Sequence, residues 1–157
     1  MKGFLLLVFL FMFSCTPREK IDEESFNIQI NDITSSIDLR EGIYIRQYTS
    51  GEKKVSFEVS KKALDRIISF VSSNRFMLRQ NNLNSYGGVL HSFPVFIAEV
   101  RIMNKGKLFS TTICDNCTYY FNRGKFRKLD ELREIIYEVA LKSKKVQELE
   151  PSDIVFD

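Results

Sequence analysis

The sequence predicts an α+β domain in which a single antiparallel sheet, made of a hairpin plus a three-stranded meander, has two helices packed on one face. Three observations predict it. Short runs alternate apolar with polar residues on either side of turn-forming residues; two longer runs carry apolar residues at helical spacing; and their order is strands, helix, strands, helix.

The hairpin begins at Gly42. Ile43 and Ile45 alternate with Tyr44, Arg46 and Tyr48, Thr49-Ser50-Gly51-Glu52 supplies turn chemistry, and Val55, Phe57 and Val59 alternate again. Ser60 is a good N-cap, and Leu64, Ile67, Ile68 and Val71 line one helical face, which predicts a helix over 61–73. Residues 80–90 are rich in Asn with a Gly pair and predict an irregular surface loop. After Pro94 the meander is predicted at 95–103, 107–114 and 117–121, with turns at 104–106 and 115–116. A second helix is predicted over 129–145, capped by Asp130, with Leu132, Ile135, Ile136 and Val139 as its stripe and an i,i+4 pair between Glu138 and Lys142. Upstream, Phe26, Ile28 and Ile30 alternate as a short edge strand, and 32–40 is expected to hold one helical turn. The tail 146–157 is expected to pack loosely.

With 157 residues, 44% apolar and 27% charged, the chain has the balance of one folded domain rather than of a disordered polymer. Its formal charge of +3 is spread among mixed signs, and Lys53-Lys54, Lys61-Lys62, Arg127-Lys128 and Lys144-Lys145 are short basic pairs of the kind found on solvated faces. No nucleic-acid partner is expected.

The first residues carry a different message. Lys2 provides a positive start, and 4–13 (FLLLVFLFMF) is an unbroken apolar run of signal-peptide length, too short for the roughly 20 residues a membrane span needs. Ordinary signal peptidase wants small residues at the first and third positions before the cut, and a cut before Cys15 would place Met12 third. Met12-Phe13-Ser14-Cys15 instead resembles the lipobox of bacterial lipoprotein precursors, with Met12 and Phe13 departing from its usual leucine and small residue. The resemblance covers residues 1–15. It implies cleavage after Ser14, lipidation of Cys15 and attachment to a membrane of the bacterial cell envelope, the outer membrane being favoured in a Gram-negative cell. The expected division is therefore a signal peptide at 1–14, the lipidated cysteine with a flexible polar tether at 15–25, and one domain at 26–157. The strand-pair, helix, strands, helix layout of 42–145 is also similar to that of many small envelope lipoproteins.

Few residues carry chemistry. Cys114-Asp115-Asn116-Cys117 flanks a turn between β-rich segments; an exported protein meets an oxidising compartment, which favours a small disulfide stapling the hairpin tip. A thiol–disulfide redox site, a metal site and two free thiols are the competing readings. Redox cysteines usually open a helix, and a structural zinc wants four ligands, for which the mature chain adds only His91 and carboxylates. Thr118 stands where covalent haem attachment would need histidine. His91, the only histidine, has no triad partner at recognisable spacing, and Gly87-Gly88 lacks the rest of a phosphate loop. Tyr119-Tyr120-Phe121 is either a glycan platform or, as alternating aromatics usually are, core. The expectation is a lipid-anchored, non-enzymatic binding or structural module without metal or cofactor. Its envelope protein or glycan partner would meet the 80–93 loop or the open sheet face; the alternative is a redox protein using Cys114 and Cys117.

Overall fold

Period-two alternation aims every second side chain of a strand at the same face, and here the register turns that local rule into a continuous apolar surface. The structure, a computed structural model, describes residues 20–77, 88–90, 97–114, 117–119 and 123–155. After a 3-10 turn at Glu23–Ser25 come β1 (Asn27–Asn31), β2 (Ser35–Asp38), β3 (Ile43–Tyr48), β4 (Gly51–Ser56), α1 (Lys61–Asn74), β5 (Gly88–Leu90), β6 (Ile97–Asn104), β7 (Lys107–Cys114), β8 (Cys117–Tyr119), α2 (Arg123–Leu141) and α3 (Lys144–Gln147). Six strands form one antiparallel sheet in the order β4-β3-β2-β1-β6-β7, and β5 pairs with β8 in a separate two-stranded ribbon.

Pairing aligns Val55, Tyr44, Ile37, Ile30, Val100 and Thr111 in one row across the whole sheet. Ile28, Ile102 and Phe109 form a second row on the same face. Nearly all of these side chains are buried, and each isoleucine removed from water contributes roughly 1.5–3 kcal/mol. Two helices cover the face. Ile67 and Val71 of α1, and Phe126, Leu129, Leu132, Ile136 and Ala140 of α2, join the sheet residues in one core. The helices touch each other, and Arg66 Nη1 to Glu138 Oε2 (3.1 Å) bridges them. The molecule is thus an α+β fold, a six-stranded antiparallel sheet with two main helices packed on it.

Helix α1 matches its sequence signals: Ser60 Oγ accepts from the Ala63 N–H, and Arg75 ends the helix in the left-handed region at φ 54°. Helix α2 begins six residues before its predicted start. Phe126 and Leu129 extend the apolar stripe backwards at helical spacing, so Asp130 lies inside the helix and does not cap it. The predicted Glu138–Lys142 pair forms at 3.1 Å.

Four local expectations are corrected. The strand predicted as an edge is β1, which lies inside the sheet between β2 and β6. The predicted helical turn at 32–40 contains β2, because Asp32 folds a tight turn: its Oδ1 accepts from the N–H groups of Thr34 (2.8 Å) and Ser35 (2.6 Å). The third meander strand, β8, leaves the main sheet to pair with β5, which falls in the predicted loop; the rest of 80–87 lies outside the described residues.

The tail is also held rather than loose. Val146 is buried, Arg46 Nη1 donates to the carbonyls of Leu149 (3.3 Å) and Glu150 (2.9 Å), Tyr48 donates to Glu150 (2.9 Å), and Asp153 accepts from Thr49 (2.7 and 2.8 Å). Those Thr49 hydrogen bonds, the side-chain one foremost, hold the Asp153 carboxyl below the usual carboxylate range.

Candidate functional site

Of the residues singled out for chemistry, Gly88, Cys114 and Cys117 to Tyr119 are placed by their strands. Cys15 and His91 lie outside the described residues, as do Asp115, Asn116, Tyr120 and Phe121. Cys114 is the last residue of β7 and Cys117 the first of β8, so the pair flanks a strand-to-strand connection and opens no helix.

Among the described side chains, one end of the sheet gathers features the sequence keeps far apart. Asn27 pairs with Met103 and Ile43 with Ser56, and the Leu39 N–H donates to the Ile28 carbonyl. This register brings the β6–β7 turn, the 39–42 loop and the 57–60 segment leading into α1 to the same end. Gly42 makes the joint possible. Its φ is +60°, its carbonyl accepts from the Phe57 N–H at 2.7 Å, and a Cβ there would stand 2.3 Å from the Phe57 oxygen.

The N-terminal segment is fastened to this end. Ile21 packs on the core, the Asp22 N–H donates to Asn104 Oδ1 (3.1 Å), and the Lys105 N–H donates to Ser25 Oγ (3.0 Å). Ser25 Oγ in turn donates to Asp22 Oδ2 (2.6 Å), and that bond is the main reason the Asp22 carboxyl is held below its usual range. Glu23 forms an ion pair with Lys61 in the first turn of α1, and this carboxylate, followed by Asp65, raises the Lys61 ammonium above its ordinary value. The stretch expected to be free tether is therefore part of the domain from about Ile21 onward.

Beside it lies a cleft of about 470 Å³ between Ser56-Phe57-Glu58 and the α2–α3 junction, Lys142 to Lys145. Lys142 is paired with Glu138 (3.1 Å) and Lys144 with Glu148 (3.6 Å); Lys145 is exposed.

At the opposite end, Asp32, Ser35 and Tyr137 form a half-buried polar node. Tyr137 donates to Asp32 Oδ2, and Ser35 Oγ sits 2.7 Å from the tyrosine oxygen and 3.1 Å from the same carboxylate. Burial, and then the Asp32 charge, push the Tyr137 hydroxyl far above the ordinary tyrosine range, so it acts as a neutral donor and not as a nucleophile. The node locks the β1–β2 turn to α2. Asp32-x-Thr34-Ser35 carries turn-forming side chains that the expectation of a helical turn passed over, and nothing in the sequence points to Tyr137 as their partner.

The sheet face away from the helices is a polar lattice with scattered apolar side chains. Asp38 accepts from Asn27 Nδ2 (3.1 Å) and Gln29 Nε2 (2.7 Å), and Glu99 accepts from Arg101 (2.8 Å) and Ser110 (3.0 Å). The Arg101 hydrogen bond, more than any other contact, keeps the Glu99 carboxyl below its usual range. Leu108 on this face is 60% exposed.

Among the described residues no group of three or more His, Cys, Asp or Glu side chains is arranged to hold a metal ion, and no helix is long and apolar enough to cross a membrane. Comparison with protein-family models, with curated proteins and with solved structures finds no match.

Proposed function

We propose that this chain is the precursor of a bacterial envelope lipoprotein whose mature domain, held to a membrane through lipid on Cys15, serves as a non-enzymatic binding or structural module. The reading rests on one observation: a positively started apolar run of signal-peptide length ends in Met12-Phe13-Ser14-Cys15, where a small residue precedes a cysteine. A thiolate is the nucleophile that would accept diacylglycerol, and each buried methylene adds about 0.8 kcal/mol, so two or three acyl chains would make release negligible.

Metabolic labelling with palmitate, with and without globomycin, tests the reading. The wild-type chain should take up label and sediment with membranes, globomycin should leave the uncut precursor, and Cys15→Ser should lose the label. A Cys15→Ser chain that stays as firmly in the membrane pellet, with no fatty acid on either protein, would overturn the assignment.

The alternative is thiol–disulfide exchange at Cys114 and Cys117. It has less support, because the first cysteine ends β7 and lacks the helix N-terminus that usually lowers a thiol's pKa. Iodoacetamide labelling across pH decides it: rapid alkylation below neutrality favours redox chemistry, whereas an inert or ordinary thiol removes it.

A further inference from the structure

The sheet ends in two edge strands, and only one of them is guarded. β4 carries Glu52, Lys53 and Lys54, exposed charges that discourage another strand from pairing with it. β7 closes the other edge, and from Leu108 to Cys114 (LFSTTIC) it holds no charge, no proline and no glycine. Its threonines, isoleucine and phenylalanine favour extended backbone, its register with β6 runs unbroken from Lys107 to Cys114, and Leu108 is exposed.

The β6–β7 turn fixes which main-chain groups face outward. Lys105 (φ 50°) and Gly106 (φ 72°) form a two-residue turn with both φ positive, the type in which the flanking residues, Asn104 and Lys107, hydrogen-bond to each other. Pairing alternates from there. Phe109, Thr111 and Ile113 bond to β6, and Leu108, Ser110, Thr112 and Cys114 aim their N–H and C=O groups off the edge. Among the described residues no main-chain hydrogen bond reaches them from that side. The charges one strand in are already engaged, since Glu99 accepts from both Arg101 and Ser110. In the middle of β7, Thr111 is 2% exposed and its hydroxyl has no hydrogen-bond partner.

We infer that β7 is a self-association edge, to which a second copy of this chain adds its own β7 antiparallel about a twofold axis through Thr111. The strand is its own complement in this arrangement. Ser110 falls opposite Thr112 of the second copy, Leu108 opposite Cys114 and Thr111 opposite Thr111, with no like charges facing. Centring on Thr111 joins 108–114 through about eight main-chain hydrogen bonds, against about six for the neighbouring register centred on Ser110. It also sets the two unpartnered threonine hydroxyls on one face, at a non-hydrogen-bonded pair whose Cα atoms stand about 4.5 Å apart, where one can donate to the other. This twofold symmetry of a neutral strand selects a copy of the chain over a foreign strand, and the inference is independent of the lipid anchor.

The test is cysteine cross-linking of the full chain in the cells that produce it, read by non-reducing electrophoresis and mass-spectrometric mapping of the bond. Thr111→Cys should give a disulfide-linked dimer joined through position 111, whereas Ser110→Cys and Thr112→Cys, each opposite a different residue, should give little. Adding Thr112→Lys at this half-exposed position gives β7 the guard that β4 has. It should abolish the 111–111 product while the amides of β1 and β6 keep their protection from hydrogen exchange. Exchange of the purified, unsubstituted full chain is a second readout: the Ser110 and Thr112 amides should slow as protein concentration rises, while those of Thr111 and Ile113 stay slow throughout. Equal cross-linking at 110, 111 and 112 that survives Thr112→Lys reports chance collision and overturns the inference. A chain that sediments as a monomer at every concentration overturns it too, and slow Ser110 and Thr112 amides in that monomer would show the edge covered by the chain itself. A product joining position 111 to a different protein gives the edge to a foreign strand and overturns the inference as well.

Discussion

In the inner hairpin, β1–β2, Ile28, Ile30 and Ile37 are sealed between neighbouring strands and the helices, whereas in the outer hairpin, β3–β4, most of β4 meets water. The inner strands are short, and their polar residues are tied by side chains: Asp38 to Asn27 and Gln29, Asp32 to its own turn and to Tyr137. The outer strands pair over a longer register, from Ile43 opposite Ser56 to Tyr48 opposite Gly51, and Glu52, Lys53 and Lys54 charge the exposed edge against pairing with another chain. The difference teaches that an edge hairpin is specified by its own alternation and turn, while a central one depends on what closes over it.

The contrast is sharpest where a core side chain is removed. Ile30→Ala should lower unfolding free energy by about 2–5 kcal/mol, against about 1 kcal/mol for Val55→Ala in the same cross-sheet row, where the side chain is already half in water. Denaturant titration measures both; equal losses would break the comparison. Asp32→Ala should cost about 1–3 kcal/mol, since it strands the Thr34 and Ser35 N–H groups and leaves the Tyr137 hydroxyl only Ser35 as a partner in the node. Gly42→Ala, at the joint between the hairpins, should cost a similar 1–3 kcal/mol through strain at positive φ and crowding of the Phe57 carbonyl.

Tyr137 adds a pH signature. Its hydroxyl is raised in the folded state, so the unfolded chain releases that proton first, at its ordinary value near 10. The stabilisation is complete below that pH and is lost as pH rises above it. Tyr137→Phe should flatten the alkaline limb of a stability–pH curve; an unchanged limb would deny the node its role.

Smaller effects belong to the outer hairpin. Arg46→Ala should cost about 1 kcal/mol and speed hydrogen exchange and proteolysis in the tail beyond Val146, because it removes the donor to the Leu149 and Glu150 carbonyls. Lys53→Ala, whose partner Glu150 is largely solvated, should change stability by no more than about 0.5 kcal/mol.

The same contrast explains which parts were legible beforehand. β3 and α1 carried alternation, turn residues and a cap within a few residues of one another, so their bounds were predicted closely, whereas β4 runs Gly51–Ser56, starting inside the predicted 49–52 turn and ending before Phe57 and Val59. β1 showed its alternation, but nothing local said that β6 would cover its free side, and its polar members looked like edge or turn residues. β8 seemed to continue a meander because chain neighbours usually pair; its partner β5 lay hidden in an Asn-rich stretch. The tail looked loose because polar residues after a helix carry no sign that Arg46, Tyr48 and Thr49 wait for them on another strand.

By itself the sequence determined the apolar leader, the Ser14-Cys15 pair, the α+β class and the period of most strands and of both main helices, because each of these is written in neighbours along the chain. Only the tertiary structure decided the strand order, the partner of Tyr137 and the docking of Ile21–Ser25. Those depend on which distant segments share a face, and hydrogen bonding and burial select that only once the whole sheet has closed.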